Sequence, residues 1–227
     1  MRIFLRGSED RVKVMQAKIG SGHELISFRQ SEGENAGYFS SFDVIIDLNL
    51  DDESSRLPEY NLFDGRIVIG SAVKKSLAQM CDENNLQTSF HFIGINGLPA
   101  FLDKERLEIS FLNKDSKNAF EKTAIAMNWK YKIVHDRVGM VTPRVICMII
   151  NEAFYTLQEG IASRDDIEAG MKLGTAFPYG PFEWCDKIGI KNVYETLVAL
   201  YSSTKDERYI ICELLKDHYL LAETVHA

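Results

Sequence analysis

The stretch Val138-Gly139-Met140-Val141-Thr142-Pro143-Arg144, followed by Asn151-Glu152-Ala153 and by Gly160-Ile161-Ala162-Ser163-Arg164-Asp165-Asp166-Ile167-Glu168, separates two halves of different character. It runs on through Met171-Lys172-Leu173-Gly174, Pro178-Tyr179-Gly180-Pro181-Phe182-Glu183 and Asp186-Lys187-Ile188-Gly189. Thr142 is a good N-cap, and Pro143 suits the first helical position, where its missing N–H costs nothing. Val145, Met148, Ile149, Ala153 and Leu157 then recur at helical spacing until Gly160 stops the helix. Ser163 caps a second helix with Asp165 and Asp166 in its first turn, the sign of charge that a helix N-terminus favours, and Gly174 ends it. Gly180-Pro181 opens a third helix that Gly189 closes; Asn192 caps a fourth running to Tyr201, and Glu207–Leu221 reads as a fifth. Residues 137–227 are therefore expected to form an all-α domain.

Upstream the pattern alternates. Short runs rich in Ile, Val or Phe, bounded by Gly, Asn or Asp, predict strands at Arg2–Leu5, Glu24–Phe28, Asp43–Leu48, Arg66–Ile69, Phe90–Ile95, Leu107–Phe111 and Tyr131–Val134. Helical stretches lie between several of them, at Glu9–Lys18, Val73–Glu83 and Lys117–Met127. This βα alternation predicts an α/β domain over 1–136, Rossmann-like, with a shortened and mostly parallel sheet. The polar segment Arg29–Ser41 reads as a loop replacing one crossover.

Bulk properties narrow the function classes. The 227 residues are 45% hydrophobic and 26% charged, ordinary for a globular protein. A net charge of −7 offers no general basic surface to nucleic acid or an anionic membrane, while leaving room for a local basic pocket. No apolar run approaches the ~20 residues of a bilayer span, and Met1–Arg6 is too short for a signal peptide, so a cytoplasmic protein is expected. Cys81, Cys147, Cys185 and Cys212 are scattered, with no metal-ligand spacing, and read as reduced buried thiols. No metal site, Walker loop or Gly-x-Ser-x-Gly motif appears.

The order and spacing of the motifs between 138 and 189 resemble the C-terminal helical domain of the 3-hydroxyacyl-CoA dehydrogenases, over residues 136–192. The resemblance implies an N-terminal domain that binds NAD, an acyl-CoA-type substrate from fatty acid metabolism, and a homodimer formed through the helical domain. Phe42-Asp43-Val44-Ile45-Ile46-Asp47-Leu48 resembles the segment leading to the fourth strand of the family's dinucleotide domain. The interval from Phe28 to Phe42 is much shorter than in full-length members.

Several positions depart from the family's pattern. The first strand leads into Arg6-Gly7-Ser8-Glu9-Asp10-Arg11, with only Gly7 where the phosphate-binding fingerprint has three glycines. Glu9 and Asp10 put negative charge where a pyrophosphate would dock, and read as first-turn helix acids. The ribose-holding acid is missing from Ser27-Phe28-Arg29-Gln30. In the family a His takes the proton of the 3-hydroxyl and a Glu on the next strand orients it. With Gly94 as anchor in Phe92-Ile93-Gly94-Ile95-Asn96-Gly97-Leu98-Pro99, Asn96 stands at the His position and Glu108 at that of the carboxylate. An Asn side chain is no base near neutral pH. His91 lies five residues earlier, roughly 16 Å away along a strand. Gly70-Ser71-Ala72-Val73 corresponds to the family's substrate-orienting hydroxyl segment, with Ser71 beside the functional place and Ala72 in it. Pro143 replaces the Asn at the start of the first C-terminal helix.

Two functions are thus expected in competition. One is a divergent, non-catalytic member serving as a dimeric scaffold or acyl-CoA-type ligand binder, which the joint departures favour. The other is an active NAD-dependent oxidoreductase of a 3-hydroxyacyl-CoA or a similar hydroxy substrate.

Overall fold

The computed structural model describes residues 1–28, 36–61 and 64–225. Compact units comprise Met1–Met140 and Val141–Ala227. The first contains β1 (Arg2–Arg6), α1 (Glu9–Ile19), β2 (Glu24–Phe28), β3 (Val44–Asp47), α2 (Leu57–Tyr60), β4 (Ile67–Ser71), α3 (Leu77–Glu83), β5 (His91–Ile95), β6 (Arg106–Phe111), α4 (Lys114–Ala126) and β7 (Lys130–Ile133). All seven expected strands form, in one sheet ordered β2-β1-β3-β4-β5-β6-β7. The pairs from β2 to β5 are parallel. β6 runs antiparallel to β5, and β7 parallel to β6. The sheet is mostly parallel, as the βα alternation predicts.

The central strands are apolar on both faces because helices or turns cover both. Ile3 and Leu5 of β1 join Ile46, Ile69, Ile93 and Ile109 in a core closed by residues of α1 and α4. Phe4, between them, points to the opposite face and meets Phe39 and Phe42 edge-on at 5.0 and 5.4 Å. Along this sheet the strand order reverses between β1 and β3, the place where such folds open a crevice at the carboxyl ends of their strands.

Helix starts differ from expectation where a distant side chain takes the first amides. Helix α3 begins at Leu77, not Val73, because the Val73 and Lys74 amides donate to Asp51 Oδ2 at 2.8 and 2.9 Å. Ser76 supplies its cap, accepting from Gln79 N at 3.1 Å. Helix α4 begins at Lys114, ahead of Lys117, because Asn113 caps it through the Ser116 amide. The expected loop Arg29–Ser41 holds a 3-10 turn at Ala36–Ser41. Its remaining residues, including Arg29 and Gln30 of the ribose-acid position, lie outside the described residues.

The second unit is all helical: α5 (Thr142–Gln158), α6 (Arg164–Thr175), α7 (Pro181–Ile188), α8 (Ile190–Thr204) and α9 (Glu213–Val225). Val141, not Thr142, is the N-cap of α5, with Pro143 in the first turn. Helix α6 ends one residue beyond Gly174, closing on Ala176 in a left-handed conformation at φ 54°. Gly189, not Asn192, precedes α8; the Asn192 amide instead donates to Ile188 O at the end of α7. The expected fifth helix is broken: Glu207–Tyr209 is a 3-10 turn and α9 starts at Glu213. Asn151 makes the break by accepting from Cys212 N at 2.9 Å and donating to Ile210 O at 2.8 Å. All four cysteines are buried and free, and burial pushes the thiols of Cys81 and Cys147 up to about 11 and about 12. Among the described residues no helix is long and apolar enough to cross a membrane.

Candidate functional site

The residues singled out in the first unit gather along the carboxyl ends of β1, β3, β4 and β5. Ser71 ends β4 opposite Ile95, the last residue of β5, and the Ala72 amide continues the ladder onto Ile95 O at 3.0 Å. Asn96 follows at once, and its amide donates to Glu108 O on β6 at 3.2 Å. Ser71, Asn96 and Glu108 are therefore brought together by ladder register, although they are spread over the sequence. Gly7 is not among them: it follows β1 and packs against Leu48 beyond β3.

The chemical state of each group follows from its surroundings. Asn96 is 3% exposed, and its Oδ1 accepts from the Leu98 amide at 3.4 Å, which shapes the turn into Gly97 and Leu98. A neutral amide in that role can donate or accept a hydrogen bond but cannot take a proton. Ser71 is fully buried, and its Oγ finds no hydrogen-bond partner among the described residues. Gly97 lies directly over it: a Cβ at Gly97 would stand 2.7 Å from the Ser71 Cβ and Oγ. The hydroxyl is thus covered by backbone. Glu108 is half-buried on β6. His91 opens β5 opposite Ile67, at the other end of the strand from Asn96.

Charged side chains fill the neighbouring crevice. Arg6 Nη1 donates to Tyr60 Oη at 3.0 Å, and that hydroxyl donates to Asp47 Oδ2 at 2.8 Å. Burial pushes the fully buried Asp47 carboxyl upward, against the lowering effect of the Tyr60 hydroxyl, the Asn49 amide and the Arg6 guanidinium. Burial, and then the Asp47 carboxylate, hold the Tyr60 phenol well above its ordinary value. Arg11 is the residue that motif reading missed. It follows the acids Glu9 and Asp10, which are exposed in the first turn of α1. Its guanidinium reaches Leu48 O at 2.6 Å and Gly97 O at 3.4 Å, so it links the ends of β3 and β5. The available signal was a cation in the first turn of a helix, where the macrodipole disfavours it.

In the second unit the family's Asn position holds Pro143, buried in the first turn of α5. Glu168 of α6 accepts from the Phe182 and Glu183 amides at 2.6 and 3.0 Å, capping α7 in place of a local side chain. A small cleft of about 320 Å³ in this unit is lined by Phe154, Phe182, His218, Arg164 and Asp186 among others.

Residues 139–224 match the family described as 3-hydroxyacyl-CoA dehydrogenase, C-terminal domain. The 3-hydroxyadipyl-CoA dehydrogenase of Escherichia coli K12 is 41% identical over 88 residues, which is 39% of this chain and 18% of that protein. The 3-hydroxybutyryl-CoA dehydrogenase of Bradyrhizobium diazoefficiens is 36% identical over 83 residues, 37% of this chain and 28% of that protein. The chain thus spans well under a third of the length of these two relatives. The crystal structure of (S)-3-hydroxybutyryl-CoA dehydrogenase from Ralstonia eutropha superposes with a TM-score of 0.73 over 97% of this chain and 94% of that one, at 19% identity, a likeness of fold. Residues 139–224 are thus similar to the C-terminal domain of the 3-hydroxyacyl-CoA dehydrogenases, and the rest of the chain shares their fold.

Proposed function

We propose that the chain is a divergent 3-hydroxyacyl-CoA dehydrogenase-like protein in which NAD-dependent hydride transfer is lost or much reduced, and which serves as a homodimeric scaffold or a binder of an acyl-CoA-type ligand. The observation that carries this reading is Asn96. It occupies the end of β5 as a buried amide engaged with the following turn. Hydride removal from a 3-hydroxyl leaves a proton that a base must accept, and an amide cannot accept it. A further feature supports the reading: Ser71 lies covered beneath Gly97. Asn96, Glu108, Ser71 and Gly7 are accordingly proposed as the remnants of the site, with NAD the cofactor that the family resemblance implies.

Activity of the purified protein with 3-hydroxybutyryl-CoA and NAD+, followed by NADH absorbance, tests the reading against Asn96→His. The wild type is expected to show no turnover above the uncatalysed rate. A wild type that oxidises the substrate as fast as Asn96→His would overturn the assignment of Asn96.

A further inference from the structure

We infer that the dinucleotide crevice of the N-terminal unit is closed by the chain's own charged side chains, with Arg11 standing where a pyrophosphate would lie. The inference deepens the reading above and rests on different residues. In folds of this kind the pyrophosphate docks against the N-terminus of the helix after the first strand, beside the point where the strand order reverses. Here that helix is α1, and the reversal lies between β1 and β3.

A phosphate at that place needs donors around it. The structure sets acceptors there, already turned on Arg11. The Leu48 and Gly97 carbonyls converge on the Arg11 guanidinium at 2.6 and 3.4 Å, and Ser8 Oγ, on the N-cap residue of α1, accepts from Arg11 Nε at 3.3 Å. Arg11 is 9% exposed, so its charge is held by these groups and not by water. An anion brought to the same point would have to expel the guanidinium and would then face two backbone carbonyls.

Next to it, an acid occupies a second set of donors. Paired backbone amides, such as those of Val73 and Lys74, are the groups that ordinarily hold an anion. Both already donate to the Asp51 carboxylate, itself 2% exposed. Asp52 joins the two places: it lies 3.8 Å from Arg11 Nη2 and 2.6 Å from Lys74 Nζ. Arg11, Asp52 and Lys74 form one ionic latch across α1, the loop after β3 and the loop after β4. The cations that a phosphate could have used are already spent on internal partners.

Nicotinamide fluorescence during NADH titration, and thermal unfolding with and without ADP-ribose, test the latch without any turnover. The wild type is expected to show no saturable NADH signal up to ~1 mM and no shift of its unfolding midpoint with ~5 mM ADP-ribose; a ligand bound 100-fold more tightly than that supply would raise the midpoint by several degrees. Arg11→Met keeps the reach of the side chain and removes its charge, and is expected to lower the midpoint by several degrees. Saturable NADH binding by the wild type, or an Arg11→Met midpoint equal to that of the wild type, overturns the latch. Should Arg11→Met fail to fold, the wild-type titration alone decides. A wild type that binds NADH yet transfers no hydride sinks the latch and leaves the reading of Asn96 standing.

Discussion

At Gly180 the absent side chain is what permits a contact. A Cβ there would overlap the Glu168 carboxylate, which sits against the start of α7 and accepts from the Phe182 and Glu183 amides. A carboxylate at a helix N-terminus gains from the dipole as well as from the hydrogen bonds. Gly180→Ala is therefore expected to push Glu168 off both amides and to cost about 2 kcal/mol in urea unfolding, the range for hydrogen bonds to a charged group. Glu168→Ala should cost a similar amount and the double variant little more, since both changes break one interaction; additive costs would show that the contact is not shared. At Asp47 the balance is between burial and a cation. Burial is the larger effect and raises its folded pKa above the ordinary carboxyl value of about 4. The sign follows: the unfolded carboxyl ionises first as pH rises, so the stability contributed by Asp47 is fully present below about pH 4 and is lost as pH climbs through the raised folded value. The stability difference, wild type minus Asp47→Asn, should accordingly shrink with rising pH in that window. A difference that grows would mean that Arg6, 4.0 Å from Asp47 Oδ2, outweighs burial.

Between elements, the polar ties are few and specific. Asn151 on α5 is 2% exposed and uses both ends of its amide on the segment that enters α9, at Ile210 O and Cys212 N. Removing it leaves the buried Cys212 amide without that acceptor and the Ile210 carbonyl with only the longer contact from Tyr155 Oη at 3.5 Å, so Asn151→Ala is expected to cost about 1–3 kcal/mol, visible as a lower thermal midpoint, while Asn151→Asp retains the acceptor and should lose less. A loss under ~0.5 kcal/mol for the alanine variant would show that water replaces both bonds. The same tie explains what the sequence could and could not reveal. The strands were legible because each is a short apolar run ended by Gly, Asn or Asp, a local pattern. Helix starts were not, because the deciding acceptor is remote: Asp51 holds the Val73 and Lys74 amides and delays α3, and Asn151 holds the Cys212 amide and delays α9. Asn192 looked like a cap for the helix after it and serves the one before it. In the candidate site, the neighbourhood of Ser71, Asn96 and Glu108 could be anticipated from the resemblance. The burial of Ser71 under Gly97 and the reach of Arg11 to the end of β5 depend on register, which no motif encodes.

For the whole molecule, the proposed assembly turns on α6. This helix alternates Ile167, Ala169, Met171 and Leu173 with charge, yet it has no fully buried residue, and Leu173 is 87% exposed. Ile161 just before it is 69% exposed, and Leu221 on α9 is 65% exposed. Isolated exposed apolar residues need no explanation, but a whole helix without a buried position gains little from packing and must draw its stability elsewhere. A second copy of the same chain would supply that packing most economically, since a self-complementary contact buries the helix twice. Light scattering of the purified protein at micromolar concentration should give close to twice the 25.8 kDa chain mass. Leu173→Glu places a charge on the patch without disturbing any buried contact of its own chain, so it should shift the mass toward one chain while leaving the helical circular dichroism unchanged. A monomeric wild type, or a Leu173→Glu dimer as tight as the wild type, would exclude α6 as the contact and leave the exposed leucine to be explained by a different partner.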